Sequence, residues 1–248
     1  MTVTAISGPF IKAKGFTTGR NGGPVLYLGV HTAEGALTRE SLGSFFAGHD
    51  SGSSHAGIDE RGVNGYAEYV RYSDTPWTNP PINSTSDTIE ICGFARWTRA
   101  QWLAKPVLLE GVAHWIAWRA QVRKIPLVHR HNGETATGVY GHKDINDGWH
   151  QGDHTDPGPN FPWDTVMARA VAITNPAVKP PVQAAYSYPR LLRRGSHGPD
   201  VVHMQGRLKV TADGDFGPTT ERYLKAWQQA HGLTADGVLG PLTAKKLG

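Results

Sequence analysis

The stretch VLYLGVHTAEG, residues 25–35, decides the fold of the larger part of this chain. Its first six residues, 25–30, form a short apolar run of strand-forming residues, which predicts a buried β-strand. His31 follows this strand directly, so its side chain can face a crevice at the end of a sheet. Further along, Thr38 is a suitable N-cap for a helix over RESLGSFFAGH, residues 39–49.

Strands and helices continue to alternate after this stretch. The segments SHAGI and GYAEYV, residues 54–58 and 65–70, flank a turn and predict a β-hairpin, and TIEIC, residues 88–92, predicts a further strand. The remaining predicted elements are two helices on either side of Pro106, a strand over PLVH (residues 126–129) and a last helix capped by Asp164. This mixture predicts an α/β fold with a central mixed β-sheet flanked by helices.

A proline-rich segment separates this part of the chain from a C-terminal tail. The segment TNPAVKPPVQAAYSYP, residues 174–189, contains four prolines and no periodic apolar pattern, which is typical of an extended linker. We therefore predict a first domain over residues 1–175, a linker over residues 176–187 and a second domain over residues 188–248.

The tail contains an internal repeat. TADGDFGPTT at residues 211–220 recurs as TADGVLGPLT at residues 234–243, a shift of 23 residues. Each copy supplies Asp-Gly for a tight turn and Gly-Pro to begin a helix. Between the copies the pattern predicts an amphipathic helix with Tyr223, Leu224 and Trp227 on its buried face. With one short helix upstream, the tail is predicted to be a small all-α domain of three helices.

Composition excludes several classes of protein. With 39% hydrophobic and 19% charged residues among 248, the chain can bury a core, so it is not wholly disordered. No apolar run is long enough to cross a bilayer, and we expect no membrane insertion. The N-terminus lacks the apolar segment of a secretory signal, so no export signal is expected. The single cysteine, Cys92, excludes an intrachain disulfide.

The net charge of +4 comes entirely from the tail. Residues 188–248 hold nine Lys or Arg against five Asp or Glu, whereas residues 1–187 hold sixteen of each. A basic segment suits a polyanionic partner or is simply a solvated surface. Because no nucleic-acid-binding motif accompanies the charge, we predict no nucleic-acid partner.

Nine of the twelve histidines precede the linker, which makes a metal site worth testing. A catalytic zinc site uses three ligands from His, Cys and carboxylates and leaves one position open for water. His31 at a strand end, His142 in VYGHKDIN and Asp156 in DHTDPGPNFPWD form such a set. Turn residues around the last two predict an irregular, surface-facing segment. Taken singly, each is more often an ordinary polar residue, so spacing alone leaves both interpretations open.

The ordered segments VLYLGVHTAEG, SSHAGIDERG, TIEI, VYGHKDIN and HTDPGPNFPW resemble those of a known enzyme family. This is the type 2 group of zinc-dependent N-acetylmuramoyl-L-alanine amidases, which share a fold with the peptidoglycan recognition proteins. The resemblance covers roughly residues 22–175. The tail resembles the three-helix peptidoglycan-binding module. An amidase joined to that module, without a signal peptide, resembles a bacteriophage endolysin.

The resemblance implies roles for individual residues. It makes His31, His142 and Asp156 the ligands of a Zn²⁺ ion. Glu90 matches the glutamate that handles the proton of the attacking water. His154 stands where the family usually has a lysine that stabilises the oxyanion, and it is expected either to donate a hydrogen bond there or to act as general acid.

The resemblance also places His55 near the substrate groove, although a structural hydrogen bond explains this residue equally well. The implied activity is hydrolysis of the amide between N-acetylmuramic acid and L-alanine in bacterial peptidoglycan. The expected location is the host cytoplasm until lysis and the bacterial cell wall afterwards, and the chain is expected to be a monomer. Two alternatives remain, a recognition protein without turnover and a zinc peptidase that cuts within the stem peptide.

Overall fold

The computed structural model describes residues 2–21, 23–35, 37–178 and 188–247. Its strands are β1 (Phe16–Thr17), β2 (Tyr27–Thr32), β3 (Ala56–Ile58), β4 (Tyr66–Glu68), β5 (Thr75–Pro76), β6 (Ser86–Ile91) and β7 (Gly138–Gly141). Its helices are α1 (Arg39–Gly48), α2 (Arg99–Leu103), α3 (Pro106–Arg123), α4 (His142–Trp149), α5 (Trp163–Thr174), α6 (Pro199–Arg207), α7 (Pro218–Ala230) and α8 (Pro241–Leu247). Within the described ranges, no helix combines the length and apolar character that crossing a membrane requires.

The chain divides into two compact units. The first holds the described residues of Met1–Trp97 and Val107–Pro180, and the second holds those of Thr98–Pro106 and Pro181–Gly248. The domain boundaries given above remain a prediction, and the structure groups α2, which lies inside the predicted first domain, with the second unit. Most of the predicted linker, from residue 179 to its end, lies outside the described residues.

A five-stranded sheet forms the centre of the first unit. Its strand order is β4-β3-β6-β2-β7, in which the last four strands are parallel and β4 pairs antiparallel with β3. The central strands β2 and β6 bury branched apolar side chains on the sheet, such as Val30 and Ile89. Helix α3 packs closely on the sheet at Gly111, where an added Cβ would lie 2.6 Å from Cδ1 of Ile58. The predicted mixed sheet flanked by helices is confirmed.

Local signals predict some helix and strand ends correctly and others wrongly. Thr38 is the N-cap of α1 and its hydroxyl accepts a hydrogen bond from the backbone N–H of Ser41, as expected. Asp164 is not a cap, because α5 begins after Pro162 and Asp164 lies in its first turn. The segment predicted as a strand at 126–129 forms only an isolated bridge at its last residue. Its leading proline lacks an N–H for a sheet ladder, and β7 takes the place beside β2.

A buried cluster of charges lies in the first unit. The Asp87 carboxylate has no exposed surface and pairs with three guanidinium groups, at 2.6 Å from Arg20, 2.6 Å from Arg119 and 2.9 Å from Arg123. Nη2 of Arg20 also lies 2.6 Å from Nε2 of His55. Three arginines therefore depend on one carboxylate for charge compensation.

The second unit contains α6, α7 and α8, so the predicted three-helix tail is confirmed. An apolar cluster holds it together, with Leu224 of α7 fully buried within it and Trp227 partly buried against it. Tyr223 was expected on the same face, but it is 45% exposed. It precedes Leu224 by one residue, which turns its side chain away by about 100° on a helix.

Each copy of the tail repeat is closed by a buried glutamine that no sequence pattern indicated. Nε2 of Gln228 donates to the Asp236 carboxylate at 2.8 Å, to the Val238 carbonyl at 3.0 Å and to the Thr243 hydroxyl at 3.1 Å. Its Oε1 accepts from the N–H of Gly237. The same four bonds recur in the first copy around Gln205, with the partners Asp213, Asp215, Thr220 and Gly214.

Replacing Gln228 with alanine is expected to lower the free energy of unfolding of the tail by about 2 to 4 kcal/mol, because several buried polar groups lose their partner at once. Gln229 is the matched control, since it is exposed on the same helix and its replacement should cost less than about 0.5 kcal/mol. Amide hydrogen exchange over residues 234–243 measures the effect. Equal exchange in the two variants would contradict this role for Gln228.

Candidate active site

Two parallel strands bring the first pair of candidate residues together. His31 on β2 lies directly opposite Glu90 on β6 in the strand register, so both side chains lie on the same face of the sheet. The carboxyl ends of parallel strands form the usual ligand crevice of such sheets. The strand register therefore brings His31 and Glu90 to the same site, as predicted.

His142 reaches the same edge from the next strand. It is the first residue of α4 and directly follows β7, which pairs with β2. Asp144 fixes this junction because its carboxylate accepts a hydrogen bond from the N–H of Gly141 at 2.8 Å. The turn residues in the sequence predicted an irregular, surface-facing segment here. That expectation is wrong, since the segment runs from strand into helix and His142 is buried.

Asp156 is held in an irregular loop, but it is also buried rather than surface-facing. Its backbone carbonyl accepts from the N–H of Lys143 at 3.1 Å, which holds the loop against the start of α4. One carboxylate oxygen lies 3.1 Å from Nδ1 of His31 and accepts from the N–H of Thr32 at 3.3 Å. The other lies 3.3 Å from Nδ1 of His142.

These three residues could hold a metal ion. The candidate ligand atoms of His31, His142 and Asp156 all lie within 4.8 Å of one another. Ligand atoms on a tetrahedral zinc ion at about 2.0 to 2.2 Å are roughly 3.3 to 3.6 Å apart, close to the two contacts of Asp156. The residues present therefore fit a divalent cation by their chemistry and by the convergence of one ligand atom from each residue.

The electrostatics of the site favour the metal-binding forms of Asp156 and His142. Burial alone would raise the pKa of Asp156, but the hydrogen bonds with His142 and His31 outweigh it and hold that pKa well below its usual range. Burial lowers the pKa of His142, which favours the neutral imidazole. A charged carboxylate and a neutral imidazole are the states in which these side chains coordinate cations.

Glu90 has a different environment. Its Oε2 is buried without a hydrogen-bond partner among the described residues, and the side chain lines the same cleft as the cluster. Burial, followed by the negative charges of Asp156 and Glu34, raises the pKa of Glu90 well above its usual range. An unpaired, perturbed carboxyl beside a metal-binding set is suited to exchanging protons with a water or substrate.

His154 lies at the rim of the cluster. Its ring stacks on that of His142 with centroids 4.1 Å apart, and its Nδ1 lies 3.7 Å from the Asp156 carboxylate. The side chain is 62% exposed, so it can reach a ligand in the cleft. Asn146 supports the loop by donating to the backbone carbonyl of His154 at 2.9 Å.

His55 does not lie at this site. It is fully buried, stacks on Tyr72 and contacts the Thr88 hydroxyl and Arg20. Burial lowers the pKa of His55 to about 3. The structure thus gives His55 the hydrogen bonds of the structural alternative and does not place it among the residues that line the cleft. Its partner Arg20 is separated from it by 35 residues in sequence, so no local pattern revealed the contact.

A cleft of about 870 Å³ surrounds the cluster. Beyond the candidate residues it is lined by the carboxylates of Glu34 and Asp153 and by the aromatic rings of Phe45 and Trp77. Trp77 is 41% exposed and anchored through its indole N–H on the Thr17 hydroxyl. Glu34 and Phe45 were not predicted, although Glu34 belongs to the stretch on which the fold was predicted.

Comparison with known proteins defines the class. A family model described as N-acetylmuramoyl-L-alanine amidase matches residues 21–159, more than half of the chain. A second model, described as a peptidoglycan binding domain, matches residues 197–247. The chain belongs to the N-acetylmuramoyl-L-alanine amidase family. The family, the fold and the enzyme class expected from the sequence are thereby confirmed.

Individual relatives match parts of the chain. The solved structure of the Staphylococcus aureus hydrolase AmiA, in complex with its ligand, is similar with a TM-score of 0.56 at 16% identity, over 73% of this chain and 89% of that one. A peptidoglycan-binding protein of Clostridioides difficile shares 35% identity over 25% of this chain and 43% of its own, with a TM-score of 0.25.

The zinc D-Ala-D-Ala carboxypeptidase of Streptomyces albus G is 34% identical over 74 residues. That match covers 27% of this chain and 29% of the relative. The chain therefore spans less than a third of that curated relative, and the similarity concerns a part of each protein.

Proposed function

We propose that this chain hydrolyses the amide bond between N-acetylmuramic acid and L-alanine in bacterial peptidoglycan, using a Zn²⁺ ion. The observation that carries the proposal is the convergence of His31, His142 and Asp156 beside Glu90, whose Oε2 has no hydrogen-bond partner in the described parts of the chain. It occurs within the segment that matches the amidase family model. Two imidazoles and one carboxylate form a usual catalytic zinc set.

When bound, zinc would supply Lewis acidity toward the amide carbonyl and lower the pKa of a coordinated water. Side chains of the protein would carry out the proton transfers. Oε2 of Glu90 would accept a proton from the attacking water and pass it to the departing nitrogen. The new C–O bond replaces the C–N bond, which leaves a lactyl carboxylate on the sugar and a free amino group on L-alanine.

His154 would act on the carbonyl oxygen of the substrate. A single well-placed donor to a developing oxyanion contributes about 3 to 4 kcal/mol. The stacking of His154 on His142 holds its ring over the cluster, which supports this role or that of general acid to the leaving amine. Because an imidazole is fully charged only when protonated, this step would depend on pH more than with a lysine.

The second unit would hold the enzyme on its substrate. Residues 197–247 match a peptidoglycan binding domain, and a tethered module raises the local concentration of substrate without new contacts at the active site. We propose action at the bacterial cell wall as a monomer, with release from a host cytoplasm at lysis, as in a bacteriophage endolysin. The partner is peptidoglycan, with no nucleic-acid partner and no membrane insertion.

Digestion of purified cell wall, followed by mass spectrometry of the products, tests the proposed activity. The zinc-loaded chain should release new L-alanine amino termini, the chelator-stripped chain should not, and added zinc should restore them. New termini elsewhere in the stem peptide would instead identify a zinc peptidase. Walls that bind the protein but stay intact, with zinc present, would identify a recognition protein and contradict the amidase proposal.

A further inference from the structure

The cleft carries an excess of negative charge. Four of its lining side chains are carboxylates, those of Glu34, Glu90, Asp153 and Asp156. Among the described residues that line it, none is lysine or arginine. Counting histidines as neutral and all four carboxylates as charged, the formal charge is about −4, and a bound divalent cation brings it to about −2. This formal charge is an upper bound on the negative charge, since the raised pKa of Glu90 favours its neutral form.

The Glu34 carboxylate is held in place by neutral donors. Its Oε1 accepts from the Thr32 hydroxyl and from the backbone N–H of Ala95, both at 2.6 Å. Neither donor carries a charge, so these hydrogen bonds hold the Glu34 carboxylate in place without neutralising its negative charge. Glu34 follows β2 directly, and β2 carries His31. Its charge therefore lies near the three candidate metal ligands. The contribution of Glu34 to the raised pKa of Glu90 also indicates this.

Asp153 supplies the second charge from a different loop. It follows α4 and precedes His154 by one residue, on an exposed segment that lines the cleft. No ion pair of Glu34 or Asp153 is formed within the part of the chain that the structure describes. A ligand in this cleft thus meets two carboxylates that no lysine or arginine of the described cleft lining neutralises.

We propose that Glu34 and Asp153 make the enzyme select stem peptides whose carboxylates are amidated over those with free carboxylates. The proposal rests on the proposed function, because it concerns the peptide beside the scissile amide. A free carboxylate next to L-alanine would be repelled by both side chains, whereas the amide of the same shape would not. Because both charges are exposed, the discrimination is moderate and weakens with salt.

A matched pair of ligands tests this selection. N-acetylmuramoyl-L-alanyl-D-isoglutamine and its free-acid counterpart with D-glutamate differ by one amide in place of one carboxylate. Their dissociation constants are measured by calorimetry on the zinc-loaded full-length Glu90→Gln variant, which keeps Glu34 and Asp153 and does not require turnover. We expect the amide to bind about fivefold more tightly at low salt, with a smaller ratio at high salt.

Variants assign the effect to the two carboxylates. Adding Glu34→Gln and Asp153→Asn should bring the ratio close to one, and the glutamine keeps an oxygen to accept the bonds of Thr32 and Ala95. Glu134→Gln is the control, since it removes one carboxylate, as each of the two cleft substitutions does, but lies outside the cleft lining and should leave the ratio unchanged.

The outcomes separate this proposal from the proposed function. Equal or tighter binding of the free acid would overturn the selection, as would failure of both ligands to bind. Preference for the amide without cleavage by the wild-type chain would instead support the selection and overturn the amidase activity alone. Cleavage of both ligands with equal kcat/KM and equal affinity would leave the activity standing and remove the role of Glu34 and Asp153.

Discussion

Replacing Glu90 with glutamine is expected to lower kcat on a soluble muramyl peptide by about 10³-fold, within the range of roughly 10² to 10⁴ for a positioned general acid or base. The amide has nearly the same shape, but it can neither accept the proton of the attacking water nor deliver one to the leaving amine. Oε2 of Glu90 has no partner among the described residues, so no hydrogen bond within the protein is lost.

Zinc content separates this effect from damage to the metal site. Glu90 lies beside His31 in the strand register but is outside the set of candidate ligands, so the variant should bind zinc as the wild type does. Stopped-flow or discontinuous kinetics and elemental analysis of the same sample measure both quantities. Glu134→Gln, which lies outside the cleft lining, should keep full activity. A Glu90→Gln variant with kcat within tenfold of wild type would remove Glu90 from the mechanism.

Elements whose signals are local were predictable from the sequence. The apolar run before His31 forms β2, the hydroxyl of Thr38 caps α1, and the hairpin of β3 and β4 forms where two strand patterns flank a turn. Each of these rests on neighbouring residues alone. By contrast, β7 is four residues long with glycine at both ends, Gly138 and Gly141, and carries too little apolar pattern to be recognised.

Contacts between distant parts of the chain set the rest of the site. The resemblance supplied the candidate ligands, but the burial of Asp156 depends on a loop folding back across 124 residues to the N–H of Thr32. The buried position of His55 depends on Arg20 and on Thr88, 33 residues away from it. Contacts over such sequence separations are set by strand order and packing, which short stretches of sequence do not predict. The charge of the cleft became visible only once Glu34 and Asp153 were placed on one surface.

Replacing Asp87 with asparagine is expected to lower the free energy of unfolding of the first unit by about 3 to 5 kcal/mol, the usual cost of removing one partner from a buried ion pair. Asp87 is the carboxylate that compensates Arg20, Arg119 and Arg123 in the buried cluster. Urea denaturation followed by near-ultraviolet circular dichroism at neutral pH measures the change. Removing one arginine should cost less, because Asp87 would keep two partners.

Asp147→Asn is the matched control. Asp147 pairs with Lys143 on the exposed face of α4, and an exposed pair of this kind contributes about 0.3 to 0.5 kcal/mol. Similar losses of stability in the two variants would contradict the expectation that the buried ion pairs of Asp87 contribute more to stability than an exposed pair.

The pH dependence tests whether charge is responsible for the effect of Asp87→Asn. Burial acts to raise the pKa of Asp87, but His55 and the arginines outweigh it and hold the pKa below its usual value in the folded protein. The stabilisation is therefore complete above the unfolded pKa of about 3.9 and is lost as the pH falls through the lower folded value. The difference between wild type and Asp87→Asn should shrink in acid, whereas a packing defect would keep the same size at every pH. A constant difference would show that shape and hydrogen bonding, rather than the charge of Asp87, stabilise this part of the fold.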